Sequence, residues 1–167
     1  EGTFYSCTSL KEITLAKKTK SIGKYAFSMN KDEAFKVLSY NEDGEKYFYY
    51  EFHSPLKSLT IGNNVIIGEN AFANAADLES VTLGSGATIE KMAFYNCSKL
   101  KSIDLSKATS IGDYAFSGDV FYVCLDDSMA IAAVSKDGTY IYTHHAPMIT
   151  EADLSSATSI GEYAFAY

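Results

Sequence analysis

The phrase Ser-Ile-Gly-(Asp/Glu)-Tyr-Ala-Phe stands twice in this chain, at residues 110–116 and 159–165, and variants of it recur along the whole length. Self-similarity of this kind confines a chain to architectures in which one supersecondary unit stacks on copies of itself. Phenylalanine sets the period, because 22 residues separate Phe72 from Phe94 and Phe94 from Phe116. A second marker is an apolar triplet, found as Leu10/Ile13/Leu15, Leu56/Leu59/Ile61, Leu78/Val81/Leu83 and Leu100/Ile103/Leu105. A fifth copy, Ile149/Ala152/Leu154, precedes the second Ser-Ile-Gly phrase.

Residues 28–55 and 117–147 interrupt this pattern. Each could be an inserted hairpin, since Asp43-Gly44 and Asp137-Gly138 are turn dipeptides beside apolar runs. The triplet nevertheless recurs inside both, as Phe35/Leu38/Tyr40 and Val120/Val123/Leu125. Counting those, the middle positions are Ile13, Leu38, Leu59, Val81, Ile103, Val123 and Ala152, at steps of 25, 21, 22, 22, 20 and 29 residues. That regularity favours about seven stacked turns of 22 residues, two of them degenerate, over five turns carrying two inserted hairpins. Tyr47 and Phe52 then take the slots of Ile111 and Phe116, and residues 130–142 loop out of an overlong sixth turn.

The spacing dictates the physics of one unit. Ile-x-Leu alternates, which predicts a short strand with both apolar residues pointing inward. Stacked strands about 4.8 Å apart share ladder hydrogen bonds, so one long parallel sheet is expected. The Ile-Gly pair predicts a bend at Gly23, Gly68, Gly112 and Gly161, with a positive φ that glycine adopts cheaply. Ala-Phe then fills a short helical or irregular opposite wall, with Phe27, Phe72, Phe94, Phe116 and Phe165 in a column. The expected fold class is a repeat solenoid forming a single domain over residues 1–167.

Leu-x-x-Ile-x-Leu followed by Ile-Gly-x-x-Ala-Phe, carried here by Leu100, Ile103, Leu105, Ile111, Gly112, Ala115 and Phe116 with Cys97, resembles the BspA-like class of leucine-rich repeats. The resemblance covers most of the chain and is weakest over residues 31–55 and 117–147. Glu90 departs from it where glycine is usual, and so does Met92. It implies a right-handed β/α solenoid in a secreted or surface-displayed protein, bacterial or from some protists, with adhesion as the commonest proposed role. Phe4 and Cys7 fill the Phe and Cys slots of a preceding unit, and both ends fall mid-unit, so an excerpt of a longer chain is expected.

Composition narrows the classes further. An apolar content of 47% over 167 residues suits one folded domain with a continuous core. No run of 18 apolar residues could form a membrane-crossing helix, and the start shows no signal-peptide pattern. The net charge of −7, with 14 lysines and no arginine, argues against nucleic acid as a partner. Cys7 and Cys97 take the same interior slot four turns apart, about 19 Å at the strand spacing. That exceeds the reach of a disulfide. Both read as small buried hydrophobes, whereas Cys124 should point outward as a free thiol.

In this register the outward positions include Ser58, Ser80 and Ser102 in one row and Thr60 and Thr82 in another. Cross-strand hydroxyl pairs are modestly favourable, and solvated strand residues are the plainer reading. Phe121 and Tyr122 would stand beside Asp104, Asp153 and Glu151, an aromatic-acidic group suited to stacking on a sugar or a cationic side chain. The competing reading has the 130–142 loop covering those rings. Lys11, Lys36, Lys57 and Lys101 form a further row, most simply solvated. Of the run at residues 47–52, some of Phe48, Tyr49 and Tyr50 must face outward or pack on a neighbouring turn.

Catalysis finds little support. His53-Ser54-Pro55 and His145-Ala146-Pro147 occupy matching places before a strand, and His144 and His145 would point to opposite faces. No zinc-ligand spacing or phosphate-cradling loop occurs, and Cys124 lacks an orienting group beyond a nearby histidine. No cofactor is expected. The leading expectation is a non-enzymatic module binding a protein or glycan outside the cell, with Phe121, Tyr122, Asp104, Asp153 and Glu151 as its site. The alternative is a rigid spacer displaying another domain.

Overall fold

In a computed structural model the described residues are 1–29, 35–40, 46–51, 54–118, 120–122, 142–144, 147 and 149–166, with backbone alone for the strands of 35–51 and 120–144. The strands are β1 Ser21–Ile22, β2 Phe35–Tyr40, β3 Lys46–Glu51, β4 Ser58–Ile61, β5 Ile66–Ile67 and β6 Ser80–Leu83. They continue with β7 Ala87–Ile89, β8 Ser102–Ile103, β9 Ala108–Ile111, β10 Val120–Tyr122, β11 Tyr142–His144 and β12 Ser159–Ile160. Among the described residues the only helical piece is a 3-10 turn, Leu105–Lys107.

Three walls enclose the core. The first is the three-stranded parallel sheet β4-β6-β8, built on the triplets, which buries Leu59, Ile61, Val81 and Leu83. The second is a five-stranded parallel sheet, β1-β5-β7-β9-β12, built on the Ser-Ile-Gly phrase and its variants, which buries Ile22, Ile67, Ile89 and Ile111. The third is a series of tight Ala-Phe turns joined rung to rung by backbone hydrogen bonds. Phe27 donates to the Ala71 carbonyl at 2.7 Å, Phe72 to Ala93 at 2.9 Å, Phe94 to Ala115 at 2.9 Å and Phe116 to Ala164 at 2.7 Å.

The expected column of phenylalanines is present, and Phe4 extends it. Phe4, Phe27, Phe72, Phe94, Phe116 and Phe165 stack face to face, with ring centroids 5.0–5.4 Å apart and planes within 5–9°. Such offset stacks add to the burial of each ring. Beside the rings runs a polar seam: Asn96 Nδ2 donates to Asn74 Oδ1 at 2.9 Å, and Asn74 Nδ2 to the Met29 carbonyl at 3.1 Å.

The same column corrects the expectation of seven turns. Phe27 stacks directly on Phe72 and Phe116 on Phe165, while β1 pairs with β5 and β9 with β12. Neither the Phe35–Tyr40 strand nor the Val120–Tyr122 strand joins either parallel sheet. β2 instead pairs antiparallel with β3, and β10 with β11, as separate two-stranded sheets. The physical reason is that a triplet alone cannot dock. Those stretches lack the Ile-Gly and Ala-Phe elements that build the other two walls, and antiparallel pairing satisfies their backbone locally. Tyr47 lies within β3, and Phe52, Val123, Leu125 and residues 130–141 lie outside the described residues.

Two further expectations change. The long sheet runs on the Ser-Ile-Gly phrase, whereas Leu10/Ile13/Leu15 and Ile149/Ala152/Leu154 form no strand. The glycines do not supply positive φ either. That conformation falls two residues later, on Tyr25, Asn70, Met92, Tyr114 and Tyr163. Glycine is needed for close approach: a Cβ on Gly68 would lie 2.6 Å from the Ile22 carbonyl oxygen, and one on Gly112 2.6 Å from the Lys91 nitrogen. Glu90 fills this slot once, with its carboxylate accepting from the Glu69 N–H at 3.0 Å.

Candidate interaction surface

Alternation along β4, β6 and β8 turns Leu59, Ile61, Val81 and Leu83 into the core and leaves the intervening positions facing outward. Ser58, Ser80 and Ser102 align in register across the three strands, and Thr60 aligns with Thr82, as the triplet spacing predicts. The result is a shallow face of small hydroxyls held on a hydrogen-bonded ladder. Lys57 and Lys101 flank it, and between them Glu79 interrupts the lysine row and pairs with Lys57 at 3.6 Å. At these exposures the pair is worth little to stability.

Asp104 and Asp153 sit at matching places on neighbouring rungs, as the pairing of Ser110 with Ser159 requires. Both are exposed, and both cap turns. Asp104 Oδ1 accepts from the Ser106 N–H at 3.1 Å, and its other oxygen lies 3.9 Å from Lys107 Nζ. Asp153 Oδ1 accepts from the Ser155 N–H at 2.9 Å. That backbone donor, helped by the Ser155 hydroxyl and the positive charge of Lys107, holds the Asp153 carboxyl below its ordinary range. Glu151 is exposed on the last turn.

Phe121 and Tyr122 lie on a separate two-stranded sheet. They belong to β10, opposite Thr143 and Tyr142, and so do not continue the rows of β4, β6 and β8 as a sixth turn would. Asp104, Asp153 and Glu151 thus belong to stacked rungs, and the backbone of Phe121 and Tyr122 belongs to the β10–β11 pair. His144 ends β11 opposite Val120, while His53, Cys124 and His145 lie outside the described residues.

Cys97 is buried, with its thiol donating to the Phe72 carbonyl at 3.2 Å, and burial pushes its pKa well up. Cys7 is only half-buried. The ring column places Cys7 three rungs from Cys97 rather than four, and both thiols are free. No group of His, Cys, Asp and Glu among the described residues could hold a metal ion.

The tyrosines were not foreseen. Tyr114 stacks on Tyr163 at 5.2 Å, and Tyr5 meets Tyr25 edge-on at 6.5 Å. Lys24 lies over the Tyr25 ring at 5.1 Å while pairing with Glu69 at 2.9 Å. The signal for three of them was the tyrosine two residues after the glycine, Tyr25, Tyr114 and Tyr163, each at positive φ.

Stacked copies, a column of rings recurring at one place in each rung and a sheet face of small polar residues define the geometry of a repeat protein. The family profile described as BspA type leucine rich repeat region (6 copies) matches residues 1–88 and 43–167. The chain belongs to the BspA-type leucine-rich repeat family. Comparison with curated proteins and with solved structures found no match. Leucine-rich repeats are generally non-catalytic units of protein interaction, and the BspA type is typical of bacterial surface and secreted proteins. No helix among the described residues is long and apolar enough to cross a membrane.

Proposed function

We propose that this BspA-type stack is a non-catalytic, adhesion-type module of a secreted or cell-surface protein, and that it binds a protein or glycan through the outward face of β4, β6 and β8. The observation that carries this reading is the register of Ser58, Ser80 and Ser102 beside Thr60 and Thr82. These small polar groups lie on a ladder already fixed by the core, so a partner meets a surface that loses little freedom on binding. The right-handed coil expected for parallel crossovers would keep that face continuous along one side. Asp104, Asp153 and Glu151 extend it at one end, with Phe121 and Tyr122 entering from the adjoining hairpin as aromatic anchors. Nucleic acid is not the proposed partner, because the chain carries a net −7 and no arginine.

The test is an array of extracellular proteins and glycans probed with the purified chain, followed by Thr82→Arg and Phe121→Ala/Tyr122→Ala. Saturable binding lost in either variant supports the reading, and an array with no saturable ligand counts against it. The phenylalanine column also favours a second reading, a stiff spacer that displays another domain. Binding that survives both variants but disappears when a neighbouring domain is exchanged would favour the spacer.

A further inference from the structure

The corner that leads into the five-stranded sheet is a four- or five-residue turn in each rung; three of its five copies lack lysine, and a fourth carries one, Lys107, lying 3.9 Å from Asp104. Gly62-Asn63-Asn64, Gly84-Ser85-Gly86, Ser106-Lys107 and Ser155-Ser156 fill it in the later rungs. These residue types suit a tight turn for local reasons, and the fold asks for nothing more there. The first rung differs. Its corner reads Ala16-Lys17-Lys18-Thr19-Lys20, with Lys17 and Lys18 at the tip of a turn closed by the Thr19 N–H on the Ala16 carbonyl at 2.9 Å.

Lys20 is anchored in place because its carbonyl accepts from the Ile66 N–H of the next rung at 3.0 Å. All three lysine side chains are exposed, and none has an ion-pair partner among the described residues. No carboxylate occurs in the corner segments 16–20, 62–65 or 84–87. Three like charges on one short turn repel one another and contribute nothing to the turn's geometry. In a chain of net charge −7 they form a local reversal of sign.

We propose that Lys17, Lys18 and Lys20 form a docking site for a linear anionic polysaccharide, sulfated or carboxylated. The inference rests on the reading of the stack as an interaction module and names one partner class for it. A thin polyanion can lie on this corner without meeting the acids of the last turn, Glu151, Asp153 and Glu162. A broad anionic surface such as a bilayer or a nucleic-acid duplex would face the acidic bulk of the protein at the same time. The absence of arginine also points away from bidentate phosphate recognition and toward diffuse, point-charge pairing.

The experiment titrates the whole chain with dextran sulfate and, in parallel, neutral dextran of equal length, polyglutamate and anionic vesicles, at two salt concentrations. The triple variant Lys17→Gln/Lys18→Gln/Lys20→Gln is compared with a control variant, Lys57→Gln/Lys101→Gln, after an unchanged thermal midpoint has been established for both. The expected result is saturable binding of dextran sulfate alone. The triple variant should weaken it at least tenfold and raised salt should weaken it similarly, with the control unaffected. Equal binding by the triple variant, tighter binding of polyglutamate or vesicles, or no binding at all overturns the proposal. If the triple variant binds dextran sulfate as the parent does while Thr82→Arg loses a ligand from the protein and glycan array, the sheet-face reading stands and this one fails.

Discussion

Phe72 stacks on Phe94 across a 22-residue connection, and Phe27 stacks on Phe72 across a 45-residue one. The two joints have centroid separations of 5.4 and 5.2 Å and nearly parallel planes. The joint between Phe116 and Phe165, bridged by 49 residues, is the same at 5.3 Å. Rung geometry is therefore set by the complementarity of neighbouring rungs and not by the length of chain between them. Loop entropy explains why this is tolerated: doubling a flexible connection costs only about 0.6 kcal/mol.

The largest expected effect tests how the rings share that load. Phe94→Ala removes a fully buried ring from an uninterrupted part of the column and should cost about 3–5 kcal/mol. Phe165→Ala, at an interrupted joint and 39% exposed, should cost about 1–2 kcal/mol. Urea unfolding of both variants checks this, and equal losses would mean that burial does not grade the column. Next come the glycines of close approach. Gly68→Ala at an interrupted joint and Gly112→Ala at an uninterrupted one should each cost about 1–3 kcal/mol, because an added methyl meets backbone that cannot yield. Thermal melts showing one of them neutral would break the equivalence of the joints.

A smaller effect is expected from shortening a connection. Deleting residues 31–53 restores the 22-residue step between Phe27 and Phe72, and stability should change by less than about 1 kcal/mol. A large loss, read in the same urea titration, would show that the β2–β3 hairpin supports the stack. The smallest effect concerns Asp153 at the 49-residue joint. Its folded pKa is lowered by the Ser155 N–H, so its contribution is present above the pKa of the unfolded chain and fades as pH falls through the folded value. Asp153→Asn should flatten the acid side of the stability curve slightly and leave neutral pH almost unchanged, as pH-dependent melts would reveal.

The stack, the column from Phe27 to Phe165 and the hydroxyl rows were legible because each rests on a spacing that survives in every complete rung. The turn count was not, since Phe35/Leu38/Tyr40 matches the triplet spacing while lacking the Ile-Gly and Ala-Phe partners that docking requires. A three-residue pattern carries too little information to separate a rung from a hairpin strand. The role of Gly68 and Gly112 was misread for a related reason: glycine answers equally to a demanded dihedral and to a demanded absence of volume, and only the neighbouring rung distinguishes them. Of the candidate site, the matching positions of Asp104 and Asp153 on neighbouring rungs were legible because both lie within the repeat spacing. Phe121 and Tyr122 lie on the β10–β11 pair, a backbone placement that the triplet spacing does not encode.

The interchangeable joint has an evolutionary corollary. A gene encoding such rungs can gain or lose whole units by unequal recombination, and can accept foreign segments after an Ala-Phe turn, without any compensating change inside. Reach along the axis and ornament at the edge can thus be selected separately.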